Sequence, residues 1–255
     1  IAVIGEMAKN PRYQGAGSSV INPTKLDNAL EELKKLGVDV VYAPGYVKNK
    51  DEIKDELVNE AVNAAKNADI ALVFVGLTDE FEGEGYDREN IEMPKCHSNL
   101  VSEVAMANPN TAAILAGGSV INLPWIDEVK ALLSTGLGGQ AVGSATANIL
   151  TGKVNPSGRL PFSVPFRYED GPIKTEAQYP GVKAEGDQFW QTHYSEGVYV
   201  GYRWYATQEI PVQFPFGHGL SYTTFEYGNA KSARSSMKSG EKLVVAVDVT
   251  NTGDV

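Results

Sequence analysis

Apolar positions along the first 165 residues alternate between two periods. Short, near-continuous apolar runs at residues 1–4, 38–43, 70–75 and 111–116 have the length and β-branched content of strands, and the third reads as a strand buried on both faces. Between them, Leu26, Leu30, Leu33 and Leu36 recur at helical spacing, with Gly37 as the stop. Ile53, Leu57, Val58, Val62 and Ala65 form a second helical stripe, and Leu100, Val101 and Val104 a short third one ended by Asn108 and Pro109. Residues 129–134 suit a strand or a helix equally by periodicity. Alternating strand and helix predicts a mostly parallel sheet covered on both sides.

The pattern changes after the turn signal Asn155, Pro156, Ser157, Gly158. Residues 159–164 are expected to return as a last strand. From there to residue 227 the chain is rich in Tyr, Trp, Pro and Gly with little periodicity, as in a segment that wraps a surface or serves a site. Residues 228–240 are polar and read as a linker, and 242–249 alternate like a sheet strand. The expected organisation is an α/β unit over 1–165, an irregular wrapping segment of the same domain over 166–227, and a linker with the first strands of an incomplete β-sandwich over 228–255.

The strongest chemical feature follows the apolar run 70–75. Residues 76–88, GLTDEFEGEGYDR, place Asp79, Glu80, Glu82 and Glu84 among glycines, ahead of Asp87 and Arg88. Ligands of α/β sheets gather outside the carboxyl ends of the strands, so these acids are well sited to face a substrate. The blander alternative is a solvated surface loop, the usual fate of a charge run. The alternating Asp/Asn, central Gly and closing Glu of a calcium loop are missing. A second candidate segment, RYQGAGSS at 12–19, follows the first strand and belongs at the same sheet edge. Its hydroxyls at Ser18 and Ser19 could serve a ligand or cap a helix. The glycines stand too far beyond the strand for a dinucleotide fingerprint, and Val20 occupies the place of its third glycine.

These motifs resemble glycoside hydrolase family 3, the β-glucosidases. GLTDEFEGEGYDRENIEMP (76–94) looks like that family's acid/base loop. IAVIGEMAKNP (1–11), RYQGAGSS (12–19), ANP (107–109), NPSGRLP (155–161), EGVYVGY (196–202) and FPFGHGLSYTTFEY (214–227) follow in the family's order. The resemblance implies an (α/β)6-type sandwich, a strand at 129–134 with a helix over 140–150, and the start of a fibronectin type III-like sandwich at the end of the chain. It also implies half of a retaining, exo-acting active site acting on a β-glucoside or cello-oligosaccharide. Glu80 aligns best as the general acid/base, with Glu84 as runner-up because some members carry the acid in a Gly-Glu-Gly context. Ser18, with Ser19 beside it, is implied as a sugar contact, and Asp87 and Arg88 as an ion pair bracing the loop. The family's nucleophile is an aspartate on a separate (β/α)8 barrel, usually in a Ser/Thr-Asp-Trp context, and that tripeptide does not occur here. No metal or organic cofactor is implied. The rival reading is a non-catalytic carbohydrate-binding or scaffold module.

Composition narrows the classes. A chain of 255 residues with a net charge of −10 can bury a sizeable core and presents no basic face for nucleic acid. No apolar run approaches the roughly 20 residues that span a bilayer, so neither nucleic acid nor membrane is expected as a partner. The chain opens on a core-like strand without Met, which points to an internal boundary there. Its single cysteine, Cys96, excludes an internal disulfide and favours a cytoplasmic over a secreted location. Of the histidines, His97 and His193 are expected to be surface or structural residues, and His218 to tie the C-terminal segment to the sheet. Trp190, Tyr194, Tyr199, Tyr202, Trp204 and Tyr205 are expected to pack rather than stack on sugars.

Overall fold

A computed structural model describes all 255 residues. In chain order it contains β1 (Ala2–Ile4), α1 (Ala29–Lys35), β2 (Val41–Ala43), α2 (Asp55–Lys66), β3 (Ala71–Gly76), α3 (Lys95–Ala107), β4 (Thr111–Ala116), β5 (Ala131–Ser134) and α4 (Val142–Leu150). The five strands form one parallel sheet in the order β2-β1-β3-β4-β5. Helix α1 packs on α4, and α2 on α3. With a helix pair on each face, all six residues of β3 are buried, as its unbroken apolar run requires.

The strand order fixes where a site belongs. The chain leaves β1 toward β2 on one side, then crosses β1 to place β3 on the other, so the direction of winding reverses between β1 and β3. The loops at the carboxyl ends of these two neighbours diverge there and open a crevice. The segments 12–19 and 76–88 are the loops that follow those two strands.

Local chemistry accounts for the element ends. Asn28 caps α1 by accepting the Glu31 amide at 2.9 Å. The Asn108 side chain donates to the carbonyls of Ala65 and Ala68 at 2.9 and 2.8 Å, closing the end of α2 at the start of β4. Helix α3 begins after Pro94, earlier than its apolar stripe announces, because Cys96 and His97 are buried on the same face as Leu100, Val101 and Val104. His97 packs against Tyr46 with ring centroids 3.9 Å apart and ring planes tilted by 42°. Burial pushes its pKa down to about 4 and that of Cys96 up to about 12, which keeps both neutral.

Three expectations need correction. The last strand expected over 159–164 shrinks to β6 (Val164–Pro165), which pairs antiparallel with β7 (Val212–Phe214) outside the main sheet. Pro161 and Pro165 cannot donate to a ladder, so a central position is closed to this stretch. Residues 228–232 are strand rather than linker: β8 (Phe225–Ser232) pairs antiparallel with β9 (Val245–Asn251), and a register shift between Gly228 and Lys231 absorbs the glycine. The expected packing of aromatics holds for Trp204, which lies on the short helix α5 (Tyr202–Thr207) and donates to the Asp170 carbonyl at 2.9 Å, and for half-buried Tyr205. Trp190, Tyr194, Tyr199 and Tyr202 are exposed. The sheet's own helices already fill the core, leaving the segment after β6 to run over its outside.

That segment is tied down by the motifs singled out above. The Asn155 side chain accepts from the Ser221 hydroxyl and the Tyr222 amide at 3.0 and 2.9 Å. The Leu160 amide donates to the His218 carbonyl at 2.9 Å, and Gly217 to Leu160 at 2.8 Å. His218 thus ties residues 214–222 to residue 160 through its backbone. No helix is long and apolar enough to cross a membrane.

Candidate active site

Three loops meet at the carboxyl edge of β1, β3 and β4. Gly76 ends β3 with φ +154°, and a Cβ there would lie 1.8 Å from the Ala116 carbonyl oxygen of β4. Only glycine allows β3 to stay against β4 up to the point where the acid loop departs. Beneath this point His97 Nδ1 stands 2.9 Å from the Gly76 carbonyl, to which it donates in the Nδ1-protonated tautomer.

Beyond Leu77 and Thr78, both buried, the acids divide by environment. Asp79 pairs with the Arg12 guanidinium, which is only 4% exposed. Glu82 is held by the Gly118 amide, with its two carboxylate oxygens at 3.1 and 2.9 Å. Its carbonyl accepts from Arg12 Nη2 at 2.9 Å, and the same nitrogen lies 3.7 Å from its carboxylate. These two acids are occupied in joining the loops after β1, β3 and β4. The Glu80 side chain is exposed and makes no hydrogen bond or ion pair.

Glu84 is exposed but held. The Ser18 amide and hydroxyl donate to one of its carboxylate oxygens at 2.6 and 2.5 Å, and its own amide donates to the Ala16 carbonyl at 3.1 Å. Hydrogen bonds from the Ser18 side chain and then its backbone hold the Glu84 pKa below the usual carboxylate value. Gly17 makes this approach possible. It has φ +109°, and an added Cβ would fall 2.5 Å from the Cβ of Glu84. Two candidate segments 66 residues apart therefore converge at Ser18 and Glu84. The Ser19 side chain makes no hydrogen bond, and neither serine caps a helix, since α1 begins only at Ala29 with Asn28 as its cap.

Asp87 and Arg88 brace the loop separately, not as the expected ion pair. Asp87 accepts from the Tyr179 hydroxyl, which ties the loop to the wrapping segment. Arg88 donates to the Val120 and Glu92 carbonyls at 2.6 and 2.7 Å and to Ser119 Oγ at 2.9 Å. Its five donors suit a cluster of neutral oxygens, and partial burial lowers its pKa. The residue that sequence reasoning missed is Arg12. It lay inside a recognised segment, yet no periodicity marks an arginine that turns inward beneath a loop of acids. No group of three or more His, Cys, Asp or Glu side chains stands in an arrangement that would hold a metal ion.

Comparison with known proteins identifies the family of the chain. Residues 1–222 match the glycosyl hydrolase family 3 C-terminal domain. The chain is 45% identical over 256 aligned positions to thermostable beta-glucosidase B of Acetivibrio thermocellus, covering 99% of this chain and 33% of that protein. It is 43% identical to an exo-alpha-(1->6)-L-arabinopyranosidase of Bifidobacterium breve, covering 100% of this chain and 32% of the other. The crystal structure of a Bifidobacterium adolescentis GH3 beta-glucosidase superposes with a TM-score of 0.89 at 42% identity, over 100% of this chain and 36% of that one. The chain thus spans about a third of the length of these relatives. With the parallel sheet, the crevice between β1 and β3 and the acid loop in place, the chain belongs to the glycosyl hydrolase family 3 C-terminal domain family.

Proposed function

We propose that this chain supplies the general acid/base of a retaining, exo-acting β-glucosidase whose nucleophilic aspartate stands on a separate (β/α)8 barrel, and that the acid/base is Glu84 rather than Glu80. The observation that carries the choice is the Ser18–Glu84 contact. It fixes one exposed carboxylate at the crevice between β1 and β3, beside the hydroxyl expected to meet the sugar. Glu80 has no partner to orient it, and Asp79 and Glu82 are occupied by Arg12 and Gly118.

The chemistry needs two carboxyl groups about 5 Å apart. The barrel aspartate attacks the anomeric carbon while Glu84 protonates the departing glycosidic oxygen. Glu84 then deprotonates the water that releases the sugar from the aspartyl ester. A resting Glu84 favours the charged form because of Ser18, whereas an acid must hold its proton. The negative charge of the nearby nucleophile, together with desolvation under a bound substrate, raises the pKa for the first step. Once the nucleophile is esterified its charge is gone, the pKa falls, and the same Ser18 hydrogen bonds favour the base needed for the second step.

The terminal sugar is glucose on this reading. The similarity to an exo-alpha-(1->6)-L-arabinopyranosidase supports α-L-arabinopyranosides as the second substrate class. The test is the whole enzyme carrying Glu84→Ala or Glu80→Ala, assayed on β-glucosides and α-L-arabinopyranosides with poor and with activated leaving groups. Glu84→Ala is expected to slow poor leaving groups by roughly 100-fold or more and dinitrophenyl glycosides far less, while Glu80→Ala stays near the parent enzyme. The reverse ranking would return the role to Glu80. If the chain alone bound glucose at millimolar concentration or better, a non-catalytic carbohydrate-binding module would be favoured instead.

A further inference from the structure

We propose that Arg12 is a positioning residue for the acid/base, setting from beneath the height and direction at which the 76–88 loop presents its carboxylate. The inference rests on the function proposed above and concerns a residue that takes no chemical part in it. Arg12 is buried and lines a small cavity together with the apolar residues Met7, Phe74, Val75, Ile114 and Ala116, a setting in which an apolar residue would avoid the cost of desolvating a guanidinium. The two terminal nitrogens of its fork face the loop instead, while Nε has no hydrogen-bond partner. One arm pairs with Asp79, and the other donates to the Glu82 carbonyl at 2.9 Å while standing 3.7 Å from the Glu82 carboxylate.

The pinned positions, 79 and 82, lie on either side of Glu80 and just ahead of Glu84. Glu82 passes the constraint to β4 through the Gly118 amide. Four residues beyond Arg12, the Ala16 carbonyl receives the Glu84 amide, and the Ser18 hydroxyl follows. A single segment after β1 therefore grips the acid loop at its buried root and again at its exposed carboxylate. A planar guanidinium with fixed donor directions does this better than a flexible ammonium. A loop freed at its root would still fold over the sheet but would present its carboxylate over a wider range of positions, and misplacement of about 1 Å is enough to slow proton transfer.

The test uses the whole enzyme with Arg12→Gln, Arg12→Lys, Asp79→Asn, Glu84→Ala and the double variant Arg12→Gln with Glu84→Ala. Arg12→Gln is expected to lower kcat on cellobiose by roughly 10- to 100-fold, with KM within about twofold and dinitrophenyl β-glucoside turnover within about threefold. The alkaline limb of its pH–rate profile shifts, and Arg12→Lys recovers part of the loss. In the Glu84→Ala background Arg12→Gln adds less than about twofold, because its effect passes through the missing carboxyl group. Equal losses on both leaving groups, or losses that multiply in the double variant, would overturn the proposal in favour of a merely structural arginine. Should Arg12→Gln not fold, Asp79→Asn breaks the same tie and carries the same expectation, and parent-like kinetics there would overturn it. Leaving-group dependence in Arg12→Gln without any in Glu84→Ala would reject Glu84 while keeping Arg12, and the double variant would then be built on Glu80→Ala.

Discussion

At the scale of single residues, the site is defined by what each carboxylate touches rather than by its place in the sequence. Glu80 and Glu84 look interchangeable in a string of acids and glycines. Only when the loop after β1 is folded against them does one of the two acquire a partner, through Gly17 and Ser18. Arg12 illustrates the same limit, since burial of a charged side chain depends on loops that periodicity does not describe. His97 carries a prediction at this scale. Its pKa falls to about 4 from 6.5 because it is buried, so between those values the unfolded chain binds a proton that the native one refuses. Its contribution is therefore fully present above about pH 7 and declines as pH falls through 6.5 toward 4, by about 3 kcal/mol in all. Replacing His97 with Gln should flatten the fall of unfolding free energy over that window, measured in denaturant at several pH values. Parallel curves for the two proteins would show that His97 does not titrate on unfolding.

Among the elements, those buried on both sides were legible and those at the margins were not. Residues 111–116 form β4 with the expected limits, and 70–75 differs from β3 by one residue at each end, because a strand sealed between two helix layers must be apolar throughout. The start of α3 was hidden because Cys96 and His97 do not read as apolar, although both face the core. The strand β8 was hidden because Gly228 and Asn229, ordinarily turn residues, sit where its pairing shifts register. Packing between α1 and α4 depends on a feature equally silent in the sequence. Gly143 in α4 lies so close to the start of α1 that an added Cβ would stand 2.4–2.5 Å from backbone atoms of Asn28. Its amide also donates to Asp27 at 2.7 Å. Gly143→Ala, a change that favours an isolated helix, should here force the two helices apart and destabilise the fold by about 1–3 kcal/mol. Thermal unfolding would show a lower midpoint, and an unchanged or raised Tm would mean that the helices adjust without strain.

For the whole molecule, the distribution of aromatic side chains bears on how the proposed active site would be completed. The sheet and its helices enclose one core of their own, yet Phe189, Trp190 and Tyr194 remain 69%, 60% and 79% exposed. All three lie in the wrapping segment, which Tyr179 fastens to the acid loop at Asp87. On the proposed reading the barrel that brings the nucleophile docks beside that loop and covers part of this apolar surface, so assembly and catalysis are linked. Purified by itself, the chain should then leave p-nitrophenyl β-glucoside unhydrolysed, because protonation without a nucleophile forms no glycosyl ester. Mixing it with the barrel from the same parent should restore turnover and shift tryptophan emission to the blue as Trp190 leaves water. Trp190→Ala should weaken that reconstitution by roughly tenfold or more in the concentration required, as for a central aromatic in an interface, while leaving the turnover of the assembled pair close to that of the parent. Turnover by the chain alone would place both carboxyl groups within these 255 residues and remove the need for a separate nucleophile. Reconstitution indifferent to Trp190 would locate the docking surface elsewhere on the domain.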